Sequence, residues 1–303
     1  MVCSGPSRVC VSGIESTRLL KYKRYHAKKS LGQNFLYDPA IARKILEATG
    51  LRSGDPVVEL GAGRGILTRE LVRRDTRLIA VELDRDLCSL LEQEHEQGSA
   101  ARETADLTRA EILNEDFTNI SLSGLLAARQ LERCTLVGNI PYHLTRHVLF
   151  SFLVDERNVI DAAYIMVQRE VGARIVSRPG SRVYGITSVV LQSLYDISVV
   201  LRVAPGSFTP PPKVASVVLG FKPLAKPVVD GSEVGPFITL VRNVFQQRRK
   251  TIQNSLKASY SFSDAELAAI GSAAGIDLGS RPEELGKESF AALLRAMGRG
   301  AAR

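Results

Sequence analysis

The apolar positions of the chain change period along its length, and each change marks an element. Ile41, Ile45 and Leu46 recur at helical spacing behind Asp38-Pro39. That pair suits a helix start, because aspartate accepts orphan N–H bonds and proline tolerates the first helical position; Gly50 ends the run. After the Gly54-Asp55-Pro56 turn, Val57-Val58-Glu59-Leu60 has the apolar texture of a buried parallel strand. Gly61-Ala62-Gly63-Arg64-Gly65 follows, then a helical stretch with Leu67, Leu71 and Val72 inward. Leu78 to Leu83 predicts a second strand, and Asp84 caps a helix through Leu91. Ile112-Leu113 leads into an acidic corner at Asn114-Glu115-Asp116. Thr135 to Gly138 predicts a fourth strand, Val148 to Leu153 a helix and Ala163 to Val167 a fifth strand.

Strands alternating with helices at this spacing predict an α/β fold, a Rossmann-like, mostly parallel sheet with right-handed crossovers and helices on both faces. Val199 to Val203 and Val214 to Leu219, separated by Phe208-Thr209-Pro210-Pro211-Pro212-Lys213, predict an antiparallel pair at its edge. Lys222 to Gly235 reads as a linker. Beyond it Phe237 to Leu256, Asp264 to Ala274 and Pro282 to Met297 carry helical periodicity. Three parts are therefore expected: a basic arm over 1–27, expected to be disordered; the α/β domain over 28–222; and a small all-helical domain over 223–303. In such sheets ligands bind beyond the carboxyl ends of the strands, where Gly61, Glu82 and Asn139 all fall.

Charge narrows the partner. Across 303 residues, 40 Lys and Arg against 32 Asp and Glu leave a net +8, which favours a polyanion, nucleic acid ahead of an anionic membrane surface. No apolar run approaches the roughly 18 residues of a membrane helix. The four cysteines form no CxxC and no cluster with the four histidines, so neither a metal site nor a disulfide framework is expected. Val9 to Ile14 is too short for a secretory core. The acid-poor arm fits a basic tail in the cytoplasm or, as the alternative, an organellar transit peptide.

The candidate chemistry starts at the glycine loop. Gly61, Gly63 and Gly65 after a buried strand let the backbone approach a ligand, and Glu82 stands 21 positions after Gly61, near the offset at which an acid meets a ribose diol. A dinucleotide fingerprint places its third glycine where Ile66 stands, which disfavours NAD. Asp116 can accept from an exocyclic adenine amine. The three together suggest a nucleoside-shaped site that S-adenosylmethionine fits without phosphate-binding lysines. A glycine turn with a solvated Glu82 and a helix-capping Asp116 is the plainer alternative.

Asn139-Ile140-Pro141-Tyr142 is the sharpest signal. An aromatic amine is a poor nucleophile because its lone pair is delocalised. The Asn139 side chain and the Ile140 carbonyl can accept both its hydrogens and draw it toward tetrahedral geometry, while Tyr142 offers a ring for a splayed base. Phe208 could clamp the other face of that base, or be a core residue at a strand end. Two basic clusters, Arg18 to Lys29 and Arg242 to Lys257 with Arg248, Arg249 and Lys250 at its centre, could track a phosphate backbone or be solvated faces.

Lys28 to Leu36, Val58 to Gly63, Ala80 to Asp84, Gly138 to Tyr142, Tyr184-Gly185, Phe208 to Lys213 and Phe245 to Lys250 resemble, in order, the signature blocks of the ribosomal RNA adenine dimethyltransferases. The resemblance implies transfer of two methyl groups from S-adenosylmethionine to the exocyclic amine of each of two adjacent adenosines, in a hairpin near the 3′ end of small-subunit rRNA. It implies action on a ribosome precursor; a monomer is the default expectation. By motif, Asn34 and Leu36 would hold the methionine end of the cofactor, Gly61 its backbone-facing side, Glu82 the ribose and Asp116 the adenine. Asn139 would lie beside donor and acceptor, and Tyr142 and Phe208 would sandwich the base. Large-subunit rRNA methyltransferases of the macrolide-resistance type resemble the Gly32 to Leu36 and Asn139 to Tyr142 blocks and remain an alternative, as does a non-catalytic assembly factor; Tyr184-Gly185 and Phe245 to Lys250 resemble the small-subunit branch. His143, Arg146 and a loop over 96–110 depart from the family pattern.

Overall fold

A computed structural model of the chain describes residues 25, 27, 28, 31–97 and 110–300. The arm up to residue 24 and the loop over 98–109 lie outside the described residues. A two-residue strand, β1 (Phe35–Leu36), leads into α1 (Pro39–Thr49), where the Asp38 side chain accepts the Ala40 N–H at 2.9 Å and Gly50 closes the helix at φ 69°. The predicted alternation follows as β2 (Pro56–Leu60), α2 (Ile66–Arg73), β3 (Arg77–Glu82), α3 (Arg85–Gln97) and β4 (Ala110–Asn114). After α4 (Leu122–Ala127) and β5 (Cys134–Gly138), the helix expected over Val148 to Leu153 opens with one α-helical turn at Thr145–His147. It continues as a π-helix over Val148–Asp155. Then come β6 (Ile160–Gln168), α5 (Arg169–Ile175), α6 (Ile186–Leu194), β7 (Tyr195–Val203), β8 (Phe208–Thr209) and β9 (Ser216–Pro223).

Seven strands form one sheet in the order β4-β3-β2-β5-β6-β9-β7, and β1 pairs separately with β8. The first five are parallel. The late pair does not simply extend the edge. β9 runs antiparallel to both β6 and β7, so the reversed strand is second from the end and β7 forms the rim.

Period two in β2 distributes its side chains to both faces. Val58 and Leu60 join Ile79, Leu136 and Ile165 on one face, while Val57 joins Leu78, Ala80 and Val137 beneath α1 and α2 on the other. The first face is covered by the π-helix, α5 and α6, and its apolar cluster runs on without a break into the C-terminal helices through Phe237, Leu240, Leu256 and Phe290. Those helices are α7 (Val234–Phe245), α8 (Ile252–Ser259), α9 (Asp264–Ala274) and α10 (Lys287–Gly300).

The periodic stretch expected over Phe237 to Leu256 is two helices. Thr251 takes a non-helical conformation and its hydroxyl accepts the Asn254 N–H at 3.3 Å, starting α8 afresh, and the polar Gln246 to Lys250 fill the exposed break. The linker is correspondingly shorter than predicted, since β9 runs through Pro223 and α7 begins at Val234.

Candidate active site

In the sheet order, chain progress reverses direction between β2 and β5, and a crevice opens there beyond their carboxyl ends. An open cleft of about 950 Å³ occupies it. Asn34, Leu36, Gly61, Glu82, Asp116, Asn139, Ile140 and Tyr142, drawn from five separate segments, all line this cleft.

The glycine loop takes the shape that only glycine adopts cheaply. Gly61, Gly63 and Gly65 have φ of 73°, 57° and 72°, and a Cβ on Gly65 would stand 2.5 Å from Leu91 Cδ2. A carboxylate holds the loop: Glu82 Oε2 accepts the Gly63 N–H at 2.7 Å and Oε1 accepts the Asp84 N–H at 2.9 Å. Glu82 is buried, and burial pushes its pKa up against the lowering effect of those two backbone donors.

On the β5 side, Asn139 Nδ2 donates to the Asn34 carbonyl at 3.4 Å, which aims the amide oxygen of Asn139 the other way. The Tyr142 hydroxyl shares a 2.7 Å hydrogen bond with Ser216 Oγ, so the half-buried ring is fixed at the mouth of the cleft, and burial raises its pKa. Asp116 Oδ1 accepts from the Thr118 N–H at 2.9 Å and from the Thr118 hydroxyl at 2.7 Å; Oδ2 takes part in neither bond.

Phe208 departs from expectation. Its side chain is 3% exposed and packs in the apolar cluster with Leu36, Ala62 and Met166, because β8 pairs with β1 and turns the ring into the core; it does not line the cleft. The expected clamp opposite Tyr142 is therefore absent from this arrangement. The basic block is also divided. Arg248 Nη2 donates to the carbonyls of Arg182 and Tyr184, both at 3.0 Å, bracing the loop between α5 and α6, whereas Arg249 and Lys250 are exposed. Lys257 pairs with Asp264, and the Arg242 guanidinium lies 5.5 Å over the Phe150 ring.

One lining residue escaped the sequence reading. Glu59, on β2, is 1% exposed, and its Oε2 has no hydrogen-bond partner among the described residues. Burial, reinforced by the nearby Glu82 carboxyl, pushes its pKa up to about 8. Its position inside an apolar strand disguised it. A buried acceptor without a partner is costly unless a ligand completes it.

Comparison with known proteins adds an independent line. The family model for ribosomal RNA adenine dimethylase matches residues 24–297. A protein of Geobacter metallireducens named ribosomal RNA small subunit methyltransferase A is 42% identical over 272 residues, covering 89% of this chain and 95% of its own. A protein of the same name from Moorella thermoacetica is 38% identical over 281 residues, covering 92% and 95%. Among solved structures, the 23S rRNA methyltransferase ErmE superposes with a TM-score of 0.65 at 26% identity, over 88% of this chain and all (100%) of its own. A dimethyladenosine transferase from Plasmodium falciparum superposes with a TM-score of 0.70 at 21% identity, over 88% and 98%, and shows the same fold.

The Glu59 carboxyl carries a pH signature. With its folded pKa near 8 and an ordinary value of 4.5 when unfolded, its favourable contribution is complete below about 4.5 and is lost as pH rises to about 8. Urea denaturation of the ligand-free protein is expected to show stability falling across this window, and Glu59→Gln to flatten the fall; an identical slope in the variant would remove Glu59 as its source.

Proposed function

This chain belongs to the ribosomal RNA adenine dimethylase family, and we propose that it dimethylates two adjacent adenosines in a hairpin near the 3′ end of small-subunit rRNA, acting on a small-subunit precursor. Membership of the family makes it an S-adenosylmethionine-dependent rRNA methyltransferase. The choice of the small subunit is supported by relatives named for it at 38–42% identity, against 26% for the large-subunit enzyme ErmE. Action in the cytoplasm completes the reading, supported by the named relatives being bacterial proteins, with a monomer as the default assembly state.

The observation that carries the reading is the meeting, in one cleft, of the glycine loop, Glu82 and Asn139-Ile140-Pro141-Tyr142. The residues fit the cofactor. Glu59 Oε2 is a buried acceptor without a partner among the described residues, suited to a cationic ammonium. Both Glu82 oxygens are already oriented by backbone donors, and each keeps a lone pair for a ribose hydroxyl. Asp116 Oδ2 suits the adenine amine, and Asn34 and Leu36 flank the methionine end. When bound, S-adenosylmethionine supplies an electrophilic methyl group on a sulfonium centre.

The chain's own residues prepare the acceptor. Asn139 is held by Asn34 so that its amide oxygen can take one hydrogen of the target amine, and the Ile140 carbonyl takes the other. Together they withdraw the lone pair from the ring and point it into the cleft. Tyr142, tethered to Ser216, provides a stacking face whose orientation costs no further ordering. No general base is needed before transfer, because the proton leaves afterwards from the cationic product. Arg249 and Lys250, exposed in the break between α7 and α8, are placed to meet phosphates.

Asn139→Ala is expected to abolish labelled methyl transfer to small subunits while S-adenosylmethionine affinity, by calorimetry, changes only modestly; retained turnover would remove the amine-acceptor role. Neutralising Arg249 and Lys250 is expected to lower the slope of log affinity for the subunit against log salt by up to about two, at roughly 0.7–0.9 per phosphate contact. An unchanged slope would place the RNA surface elsewhere.

A further inference from the structure

The roles assigned so far leave a deeply buried acid unused. Asp84 is 2% exposed and does not line the cleft, yet three side chains from the N-terminal approach converge on its carboxylate. Lys28 Nζ donates at 2.8 Å, Gln33 Nε2 at 3.0 Å, and the Tyr25 hydroxyl donates as well. The Lys28 backbone N–H also donates to Gln33 Oε1 at 2.8 Å, and the Tyr25 oxygen lies 3.0 Å from that same Oε1, closing the cluster on itself. Asp84 also accepts the Asp86 N–H at 3.1 Å at the start of α3. Capping alone needs neither burial nor a cation. Burial opposes ionisation of Asp84, but the bonds from Lys28, Tyr25 and Gln33 outweigh it and hold its carboxyl below the ordinary value.

The converging side chains belong to a strap, described at residues 25, 27, 28 and 31–36, whose second half, Leu31 to Leu36, forms one wall of the cleft. This strap is bonded beyond the carboxyl ends of three neighbouring strands, β3, β2 and β5. Beyond β2, Arg64 Nη2 donates to the Tyr25 carbonyl at 3.2 Å, and the Arg64 guanidinium lies 4.8 Å over the Phe35 ring. Beyond β3 stands the Asp84 cluster, and beyond β5 Asn139 Nδ2 reaches the Asn34 carbonyl. The far end is anchored independently, by β1 on β8 and by the Tyr37 hydroxyl on the Gly206 carbonyl at 2.7 Å. Loss of the Asp84 bonds would thus loosen one end of the strap, leaving there only the exposed Lys28–Asp86 ion pair and the Arg64 bond to the Tyr25 carbonyl, while the other end stays hinged.

We propose that Asp84 is a positioning residue for the cofactor site, a latch that holds the strap across the cleft so that cofactor entry and product release require its bonds to Tyr25, Lys28 and Gln33 to open. The proposal rests on the cofactor reading given above. The coupling is short: the Asp84 N–H donates to Glu82 Oε1, so the latch and the proposed ribose acceptor share one turn and one hydrogen bond. A ribose held on Glu82 and a closed strap favour the same arrangement of that turn.

Asp84→Asn keeps the size of the side chain and an oxygen for the Asp86 N–H, and Tyr25→Phe removes one latch bond from the strap side, away from α3. Each variant is read two ways: by the rate of tryptic cleavage after Lys28 in the cofactor-free protein, and by the dissociation rate of S-adenosylmethionine in stopped flow, with thermal unfolding as a check on the fold. For Asp84→Asn both rates are expected to rise about tenfold, the scale of a lost charged hydrogen bond, with a smaller rise for Tyr25→Phe. Cofactor is expected to protect the unaltered strap from trypsin and the Asp84→Asn strap less. Unchanged cleavage and dissociation in both variants would reduce Asp84 to a helix cap and overturn the latch. If the unaltered protein bound no S-adenosylmethionine, the cofactor reading and the strap's link to it would fall, and the trypsin rates alone would still judge the latch.

Discussion

A carboxylate almost shut off from water must find its solvation in the protein, and Glu82 finds it in two backbone N–H groups, from Gly63 and Asp84. That requirement reaches outward in two directions. Through Gly63 it fixes the loop after β2, whose glycines hold positive φ and whose crowded Gly65 leaves no room for a side chain. Through Asp84 it fixes the turn after β3, and with it the strap that walls the cleft. One ionisable group thus sets the relation between three segments far apart in the chain, and does so with lone pairs to spare for a diol.

The reacting side of the cleft depends on β5 and β9 rather than on Glu82. Asn139 leaves the end of β5, and Ser216, at the start of β9, tethers the Tyr142 hydroxyl from the neighbouring part of the sheet. The proposed acceptor site is therefore carried by the ends of paired strands, the kind of support that aligning a transferred methyl group with a weak nucleophile requires. The apolar cluster on this side of the sheet continues into the C-terminal helices, so the exposed Arg249 and Lys250 are tied by packing to the frame that holds Asn139. Arg248 strengthens the tie by bracing the Arg182 to Tyr184 loop against the break between α7 and α8.

Much of this was legible in the residues. The apolar runs at Val57, Leu78 and Thr135 and the turns after them located the strand ends, because parallel central strands are buried on both faces and read as continuous apolar segments. The reversed placement of β9 between β6 and β7 was not legible, since local alternation marks a strand but not its neighbour. Phe208 was ambiguous for a related reason: its pairing partner, Leu36, lies far away in the chain, and only that pairing turns the ring inward. Glu59 was hidden because an acid within an apolar strand looks like an edge residue until the fold buries it, and the role of Arg248 depends on a loop more than sixty positions earlier.

The central claim is methyl transfer to the exocyclic amines of adenosine in small-subunit rRNA, and the most direct measurement supplies the protein with labelled S-adenosylmethionine and, in parallel, small and large ribosomal subunits lacking the modification, followed by nuclease digestion and mass spectrometry of the nucleosides. The account predicts labelled dimethyladenosine from two adjacent positions of the small subunit alone. Label confined to the large subunit, or binding of the small subunit with no label transferred, would contradict it.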